Sequence, residues 1–135
     1  MKLDIIRISP DCTAIILQHV SSVMPEEACG ILAGKNNQIN KVISIENRMH
    51  SPFRFSMDAR AQFDAFRTIE QEKLELLGIY HSHPEGPSKP SETDIREHAY
   101  GDVLSIICSP DDLNGWKMMA FSIIDGTAAV REMIY

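Results

Sequence analysis

The sequence predicts an α/β fold in which one mixed β-sheet packs against helices, and three observations lead there. Apolar runs with strand character, ACGILAG, LELLGIYHSH and VLSIICS, alternate with stretches of helical periodicity. The polar connection KNNQ separates two apolar runs in the manner of an antiparallel hairpin. LELLGIYHSH and VLSIICS are largely apolar throughout, as strands in the middle of a sheet are. With 135 residues, 44% of them apolar, and no linker, repeat or low-complexity tract, residues 1–135 are expected to form a single domain.

The elements follow in order. LDIIRI reads as a first strand, and Ser9 then caps a helix that has Pro10 at its first position, where the missing N–H costs nothing. That helix runs to about Met24, with Cys12, Ile16, Val20 and Val23 as its apolar stripe and Ile15 widening it; Pro25 stops it. Residues 28–34 and 39–47 form the hairpin. In RMHSPFRFSM, Pro52 interrupts an alternation of Phe53, Phe55 and Met57, which suits a crossing segment or an edge strand. A second helix spans Asp58 to about Lys73, with Ala59, Phe63, Phe66 and Ile69 on one face. LELLGIYHSH is then a buried strand, PEGPSKP an irregular loop, SETDIREHA a short helix, VLSIICS another buried strand and DDLNG a turn. WKMMAFSII and TAAVREMI read as a closing pair of strands.

Charge and composition exclude several classes. Thirteen basic against nineteen acidic residues leave a net charge of −6 spread along the chain, which argues against a nucleic-acid or anionic-membrane surface. MKLDIIRISPD carries charges inside its short apolar run, and no later stretch approaches a membrane span, so a cytoplasmic location is expected. Cys12, Cys29 and Cys108 are widely spaced with no CxxC, which suggests neither a disulfide framework nor an all-cysteine metal site.

The chemistry concentrates in IYHSHPEGPSKPSETDI. On a strand, the period of two puts His81 and His83 on the same face, where two buried imidazoles each need a partner. Ser91 in SETD is placed to cap the short helix, which fixes the Asp94 carboxylate in its first turn, directly after a stiff loop returning from the His83 end of the strand. Two imidazoles and a carboxylate are the ligand set of a catalytic zinc site; iron(II) shares that set. Such a site also needs a base that does not bind the metal. Glu26 and Glu27 in MPEEACG are candidates, although the residues alone better describe an exposed helix end.

In these residues and their spacing the chain resembles the JAMM (MPN+) metalloprotease family. Its motif is an upstream Glu, then His-x-His-Pro, six residues, Ser, two residues and Asp; here these are Glu27, His81-Ser82-His83-Pro84, EGPSKP, Ser91, Glu92-Thr93 and Asp94. The resemblance covers roughly residues 1–124, and within the family the chain resembles the short prokaryotic members. It implies a curved mixed sheet between helices, related to the cytidine deaminase architecture, whose own His-x-Glu and Pro-Cys-x-x-Cys signature is absent here. It implies Zn2+ bound by His81, His83 and Asp94, Glu27 as the proton shuttle, and Ser91 steadying the oxyanion. It implies a substrate groove around Phe53, Phe55, Met57, Asp58 and Tyr80, although the aromatic residues equally suit a core. The implied substrate is a small β-grasp protein, ubiquitin-like or sulfur-carrier, cleaved after a C-terminal Gly-Gly. Two alternatives accompany this expectation, a non-catalytic MPN-type binding or scaffold protein and a thiol hydrolase acting through Cys29; a homo-oligomer is compatible with any of them.

Overall fold

The computed structural model describes residues 5–113 and 115–135. Leu3 and Asp4 of the first expected strand and Asn114 of the expected turn lie outside them. Strand β1 is Ile6–Ile8, and helix α1 (Pro10–Ser22) starts as the sequence dictates: Ser9 Oγ accepts the Cys12 N–H at 3.3 Å and Pro10 opens the first turn. Cys12, Ile16 and Val20 turn inward. Val23 is the C-cap, so the helix stops short of Met24, and Ile15 is exposed because the buried stripe is narrower than expected.

The hairpin forms as expected, β2 (Cys29–Lys35) and β3 (Gln38–Ile45), around a two-residue turn in which Asn36 and Asn37 both take left-handed φ values of 53° and 62°. Asparagine tolerates that conformation, and a turn of this hand matches the strand twist. Strand β4 (Glu75–Ser82) pairs antiparallel with β2 and parallel with β5 (Leu104–Asp111), which places it inside the sheet. Short helix α3 (Glu92–Glu97) makes the crossover between β4 and β5.

Beyond β5 lie β6 (Gly115–Ile124) and β7 (Thr127–Arg131), and here the expectation of one closing pair needs correction. TAAVREMI splits at Glu132: β7 pairs with β6, whereas β8 (Met133–Ile134) pairs with β1 at the other end of the sheet. Among the described residues the order is β7-β6-β5-β4-β2-β3-β1-β8, so the outermost strands are separated by a single residue of chain. The sheet therefore curls into a near-barrel. The Glu132 carbonyl accepts the Ile6 N–H at 3.1 Å and the Tyr135 hydroxyl accepts the Met118 N–H at 3.2 Å, which ties down what would otherwise be open edges.

Residues 46–58 are a crossing segment with one bridge, Asn47 to Met57, rather than an edge strand. Asp58 then caps α2 (Ala59–Gln71), accepting the Ala61 N–H at 3.0 Å. Ala65 and Ile69 are buried and Phe66 packs against them, but Ala59 and Phe63 are exposed. Small Ala61 and Ala65 are the side chains that let the helix sit against the sheet, and Phe63 faces out with the Arg67 guanidinium 5.9 Å from its ring centre.

Two apolar clusters lie on opposite faces of the sheet. On the α1 side Ile16, Val20, Leu32, Tyr80, Ile106 and Cys108 pack together; on the α2 side Cys29, Ile31, Ala33, Ile45, Ala65 and Ile69 do. Alternation along β4 sends Tyr80 to the first and His81, directly opposite Cys29 in the register, to the second. A Cβ at position 30 would collide with the Tyr80 ring, which is why β2 carries Gly30 there. Among the described residues no helix is long and apolar enough to cross a membrane.

Candidate metal centre and active site

Strand β4 ends at the site. His81 is its penultimate residue, and His83 is held just past it by its own N–H donating to the Cys108 carbonyl at 2.8 Å, so the strand spacing is kept through the second histidine. Their Nε2 atoms are 3.1 Å apart. The loop that follows returns to fix both the ring and its protonation: the Pro87 carbonyl lies 2.8 Å from His83 Nδ1 and can only accept, so Nδ1 carries the proton and Nε2 presents a lone pair. Asp94 occupies the third position of α3 in a reciprocal capping box, Ser91 Oγ accepting the Asp94 N–H at 3.0 Å and Asp94 Oδ2 accepting the Ser91 N–H at 2.9 Å. The same Oδ2 lies 3.1 Å from both imidazole Nε2 atoms.

Three ligand-type atoms thus form a triangle of 3.1 Å sides. Tetrahedral zinc with bonds of about 2.0–2.1 Å separates its ligands by about 3.3 Å, close to this spacing. The donor set fits zinc in chemistry as well as in distance. Burial alone would raise the Asp94 carboxyl, but its contacts with His81 and His83 outweigh burial and hold it well below the usual carboxylate range. Burial pulls His81 below its ordinary value, which favours the neutral ring a metal requires. On His83 burial acts the same way and is outweighed by Asp94 and the Pro87 carbonyl, so its value is raised.

Glu27 stands beside this triangle. It precedes β2, and its backbone is anchored on both sides: its N–H donates to the Ser51 carbonyl at 2.8 Å and its carbonyl accepts from Asn47 Nδ2 at 3.1 Å. The next N–H, of Ala28, donates to Ser82 Oγ at 2.8 Å, tying the glutamate to the residue between the two histidines. The side chain is 4% exposed, and ligand atoms of Glu27, His81 and His83 all lie within 4.8 Å of one another. Oε1 is buried without a hydrogen-bond partner among the described residues, as is His81 Nδ1. Burial pushes the carboxyl up to about 8, with His83 pulling it down and Asp94 pushing it up. Glu26, the other candidate, turns outward and pairs with exposed His50 at 3.0 Å.

The Cys29 alternative fails on its surroundings. The thiol is fully buried, donates to the Ile45 carbonyl at 3.4 Å, and is pushed up to about 12 by burial and by Glu27, so it offers no thiolate near neutral pH.

A cavity of about 270 Å³ opens beside the triangle, between the crossing segment and the α3–β5 connection, lined by Phe55, Met57, Ile79, His81, Asp94 and Tyr100 among others. Phe55 does more than flank it, since its ring stacks on the His81 imidazole at 4.5 Å between centres and 28° between planes. Of the residues expected in a groove, Phe55 and Met57 line this cavity. Phe53 is 71% exposed and outside it, and Asp58 is spent on capping α2 and pairing with Arg48 at 3.3 Å. Tyr80 is a correction: it lies fully buried on the opposite face, its hydroxyl 2.7 Å from His19 Nδ1 and 3.0 Å from Ser44 Oγ. Sequence reasoning missed Asn47, Ser82 and Tyr100. The signal for Ser82 was its place between the two histidines, where alternation must turn it to the other face.

A curved mixed sheet whose central strand presents two histidines, facing a helix-borne aspartate and a buried glutamate, defines a zinc-metalloprotease-like domain of the JAMM/MPN type. The chain belongs to the family of prokaryotic homologs of the JAB domain, whose profile matches residues 9–122. A desampylase from Pyrococcus furiosus is 43% identical over 102 residues, 70% of this chain and 73% of the relative. The CysO-cysteine peptidase of Mycobacterium tuberculosis is 29% identical over 127 residues, 93% of this chain and 86% of the relative. Among solved structures, a protein from Desulfitobacterium hafniense superposes with a TM-score of 0.86 at 28% identity, covering 96% of this chain and 92% of that one. A JAB1/MPN domain protein from Archaeoglobus fulgidus shares the fold, with a TM-score of 0.61 at 22% identity over 98% of this chain and 100% of that one.

Proposed function

We propose that this protein is a zinc-dependent peptidase that cleaves the peptide or isopeptide bond after the C-terminal Gly-Gly tail of a small ubiquitin-like or sulfur-carrier protein of β-grasp fold. The observation that carries this reading is the convergence of His81 Nε2, His83 Nε2 and Asp94 Oδ2 beside a buried glutamate whose Oε1 has no other partner among the described residues. The named activities of the desampylase and the CysO-cysteine peptidase support the substrate class.

His81, His83 and Asp94 would hold the ion. Bound there, zinc would lower the pKa of water to about 7 and polarise the scissile carbonyl. The chain's own residues do the rest. Glu27 Oε1 takes the proton of the attacking water and delivers it to the leaving amine, a task suited to a carboxyl whose burial moves it toward neutrality. Ser91 Oγ already accepts the Asp94 N–H, so its own O–H is free to donate to the developing oxyanion. Phe55 covers one side of the His81 ring, excluding water and fixing its tilt. The tail runs between the crossing segment and the α3–β5 connection, and the loop Glu85–Pro90, rich in proline and glycine, is too short to fold over as a large lid. Selection then rests on how closely a backbone approaches, which two glycines allow best.

The test is a panel of fusions of the host's own β-grasp proteins, carrying after Gly-Gly a peptide-linked cysteine, a longer peptide or an isopeptide-linked lysine, with products mapped by mass spectrometry. Release from lysine assigns deconjugation, and release of cysteine alone assigns sulfur-carrier processing. Chelator-resistant cleavage, equal cleavage of peptides lacking Gly-Gly, or no cleavage of any zinc-loaded sample would each overturn the reading, the last in favour of a scaffold.

A further inference from the structure

We infer that Asn47 is a positioning residue for hydrolysis, coupling the backbone of Glu27 to the loop that carries Phe55 onto His81. Asn47 follows β3 and is only 6% exposed. Its side chain makes four hydrogen bonds, the full capacity of an amide. Nδ2 donates to the Glu27 carbonyl at 3.1 Å and to the Arg54 carbonyl at 3.0 Å. Oδ1 accepts the Met49 N–H at 3.0 Å and the Ser56 N–H at 3.1 Å.

The partners make this more than a satisfied core amide. Met49, Arg54 and Ser56 belong to both ends of the loop, so one planar group gathers the loop at its neck. Glu27 is far away in sequence and belongs to the other wall of the site. Phe55 sits between two of the anchored loop residues and stacks on His81 at 4.5 Å. Moving Asn47 therefore moves the glutamate and the aromatic cover of the histidine together. Other ties on the loop are backbone bonds, Arg48 N–H to the Ser56 carbonyl at 2.9 Å and Glu27 N–H to the Ser51 carbonyl at 2.8 Å among them, and exposed ion pairs, His50 with Glu26 at 3.0 Å and Arg54 with Glu97 at 2.9 Å. They limit how far the loop can open, and the Ala28 N–H to Ser82 Oγ bond at 2.8 Å holds the Glu27–Ala28 peptide to β4, but Asn47 is the side chain that joins that peptide to the residues on both sides of Phe55. A small misplacement of catalytic groups costs about 100-fold in rate without touching a reacting atom.

The catalytic part of this inference rests on the proposed function, so the test pairs an activity readout with one that needs no substrate. Three chains are compared: Asn47→Ala, Asn47→Asp, and Val20→Ala, which loosens the core on the opposite face and controls for general loss of stability. Asn47→Asp keeps acceptors for Met49 and Ser56 and removes both donors. By NMR, the His81 ring protons of the metal-free wild type are expected to carry the ring-current shift of Phe55, whose ring stacks on the imidazole. Asn47→Ala is expected to lose that shift and the slow exchange of the Met49 and Ser56 amides; Val20→Ala is expected to keep them. On the best fusion, both Asn47 variants are expected to retain zinc and lose about 10- to 100-fold in kcat, with KM raised in Asn47→Ala alone. Unchanged His81 shifts in Asn47→Ala, or kcat falling no more than in Val20→Ala, would overturn the inference. Should the wild type cleave no fusion, the proposed function fails and the NMR comparison alone decides whether Asn47 positions these groups.

Discussion

Tyr80 and His81 are neighbours on one strand, both polar and both buried, yet they face opposite sides of the sheet and serve opposite ends. On the α1 side the Tyr80 hydroxyl meets His19 and Ser44, so its burial is compensated. On the α2 side His81 Nδ1 and Glu27 Oε1 are buried without hydrogen-bond partners among the described residues, while three ligand-type atoms crowd within 3.1 Å. A buried polar group costs about 1–3 kcal/mol when it is left unpaired, so a fold keeps such groups only where something else is gained. The two faces differ in kind: the Tyr80 hydroxyl is satisfied where it lies, whereas on the α2 side unpaired groups converge with ligand-type atoms, the arrangement the proposed chemistry needs.

Breaking the α2 side should have the largest effect. His81→Ala and Asp94→Ala are each expected to lose zinc and cleavage together, since each removes one corner of the triangle; elemental analysis and the fusion assay on the same samples check this. Glu27→Gln leaves that triangle intact and removes the proton shuttle, for an expected 100- to 10,000-fold fall in kcat.

The same variant should also change how stability depends on pH. Glu27 in the metal-free chain is raised to about 8 from an ordinary value near 4.5, burial being the main cause. A folded-state value above the unfolded one gives a contribution that is fully present below about pH 4.5 and is lost as pH rises toward 8. Metal-free Glu27→Gln should therefore gain stability over wild type between pH 5 and 8, on the order of 3 kcal/mol at neutrality. Denaturant titrations across that window measure the difference, and a constant difference would show that Glu27 ionises freely in the folded chain.

On the α1 side, Tyr80→Phe deletes one hydroxyl whose partners, His19 and Ser44, can both reach water. Stability should fall by about 1 kcal/mol, with kcat within about two-fold of wild type at a temperature where the variant is folded. A tenfold loss of kcat would mean that the two faces are coupled. Smallest of all is the effect expected on chemistry of Cys29→Ala: cleavage survives it and is abolished by a chelator.

The site was more legible than its surroundings because its signals are local. His81-x-His83 on a strand fixes one face, and Ser91 with Asp94 three residues on is a capping box readable from four residues. The turn at Asn36–Asn37 is equally local. Tyr80 was misplaced in the groove even though the alternation that pairs His81 with His83 sends it to the other face. Ile15 and Phe63 were placed inward because each helix offers adjacent apolar choices, and which one faces the sheet depends on how closely the helix docks. The departure of β8 to β1 is set by closure of the curled sheet, a contact between the two ends of the chain that no window of sequence contains. Asn47 at a strand end reads as an ordinary turn residue, and its four partners appear only once the loop is folded.

We propose a division of labour in which His81, His83 and Asp94 would bind the metal and Glu27, whose carboxyl is within 4.8 Å of the histidine ligand atoms, would not. Zinc bound per chain in Glu27→Gln, measured after reconstitution and exhaustive dialysis beside wild type and Asp94→Ala, tests it most directly. About one zinc per chain is expected in wild type and in Glu27→Gln, and none in Asp94→Ala. Zinc lost from Glu27→Gln and retained by Asp94→Ala would contradict it, making the glutamate a ligand and leaving the site without its base.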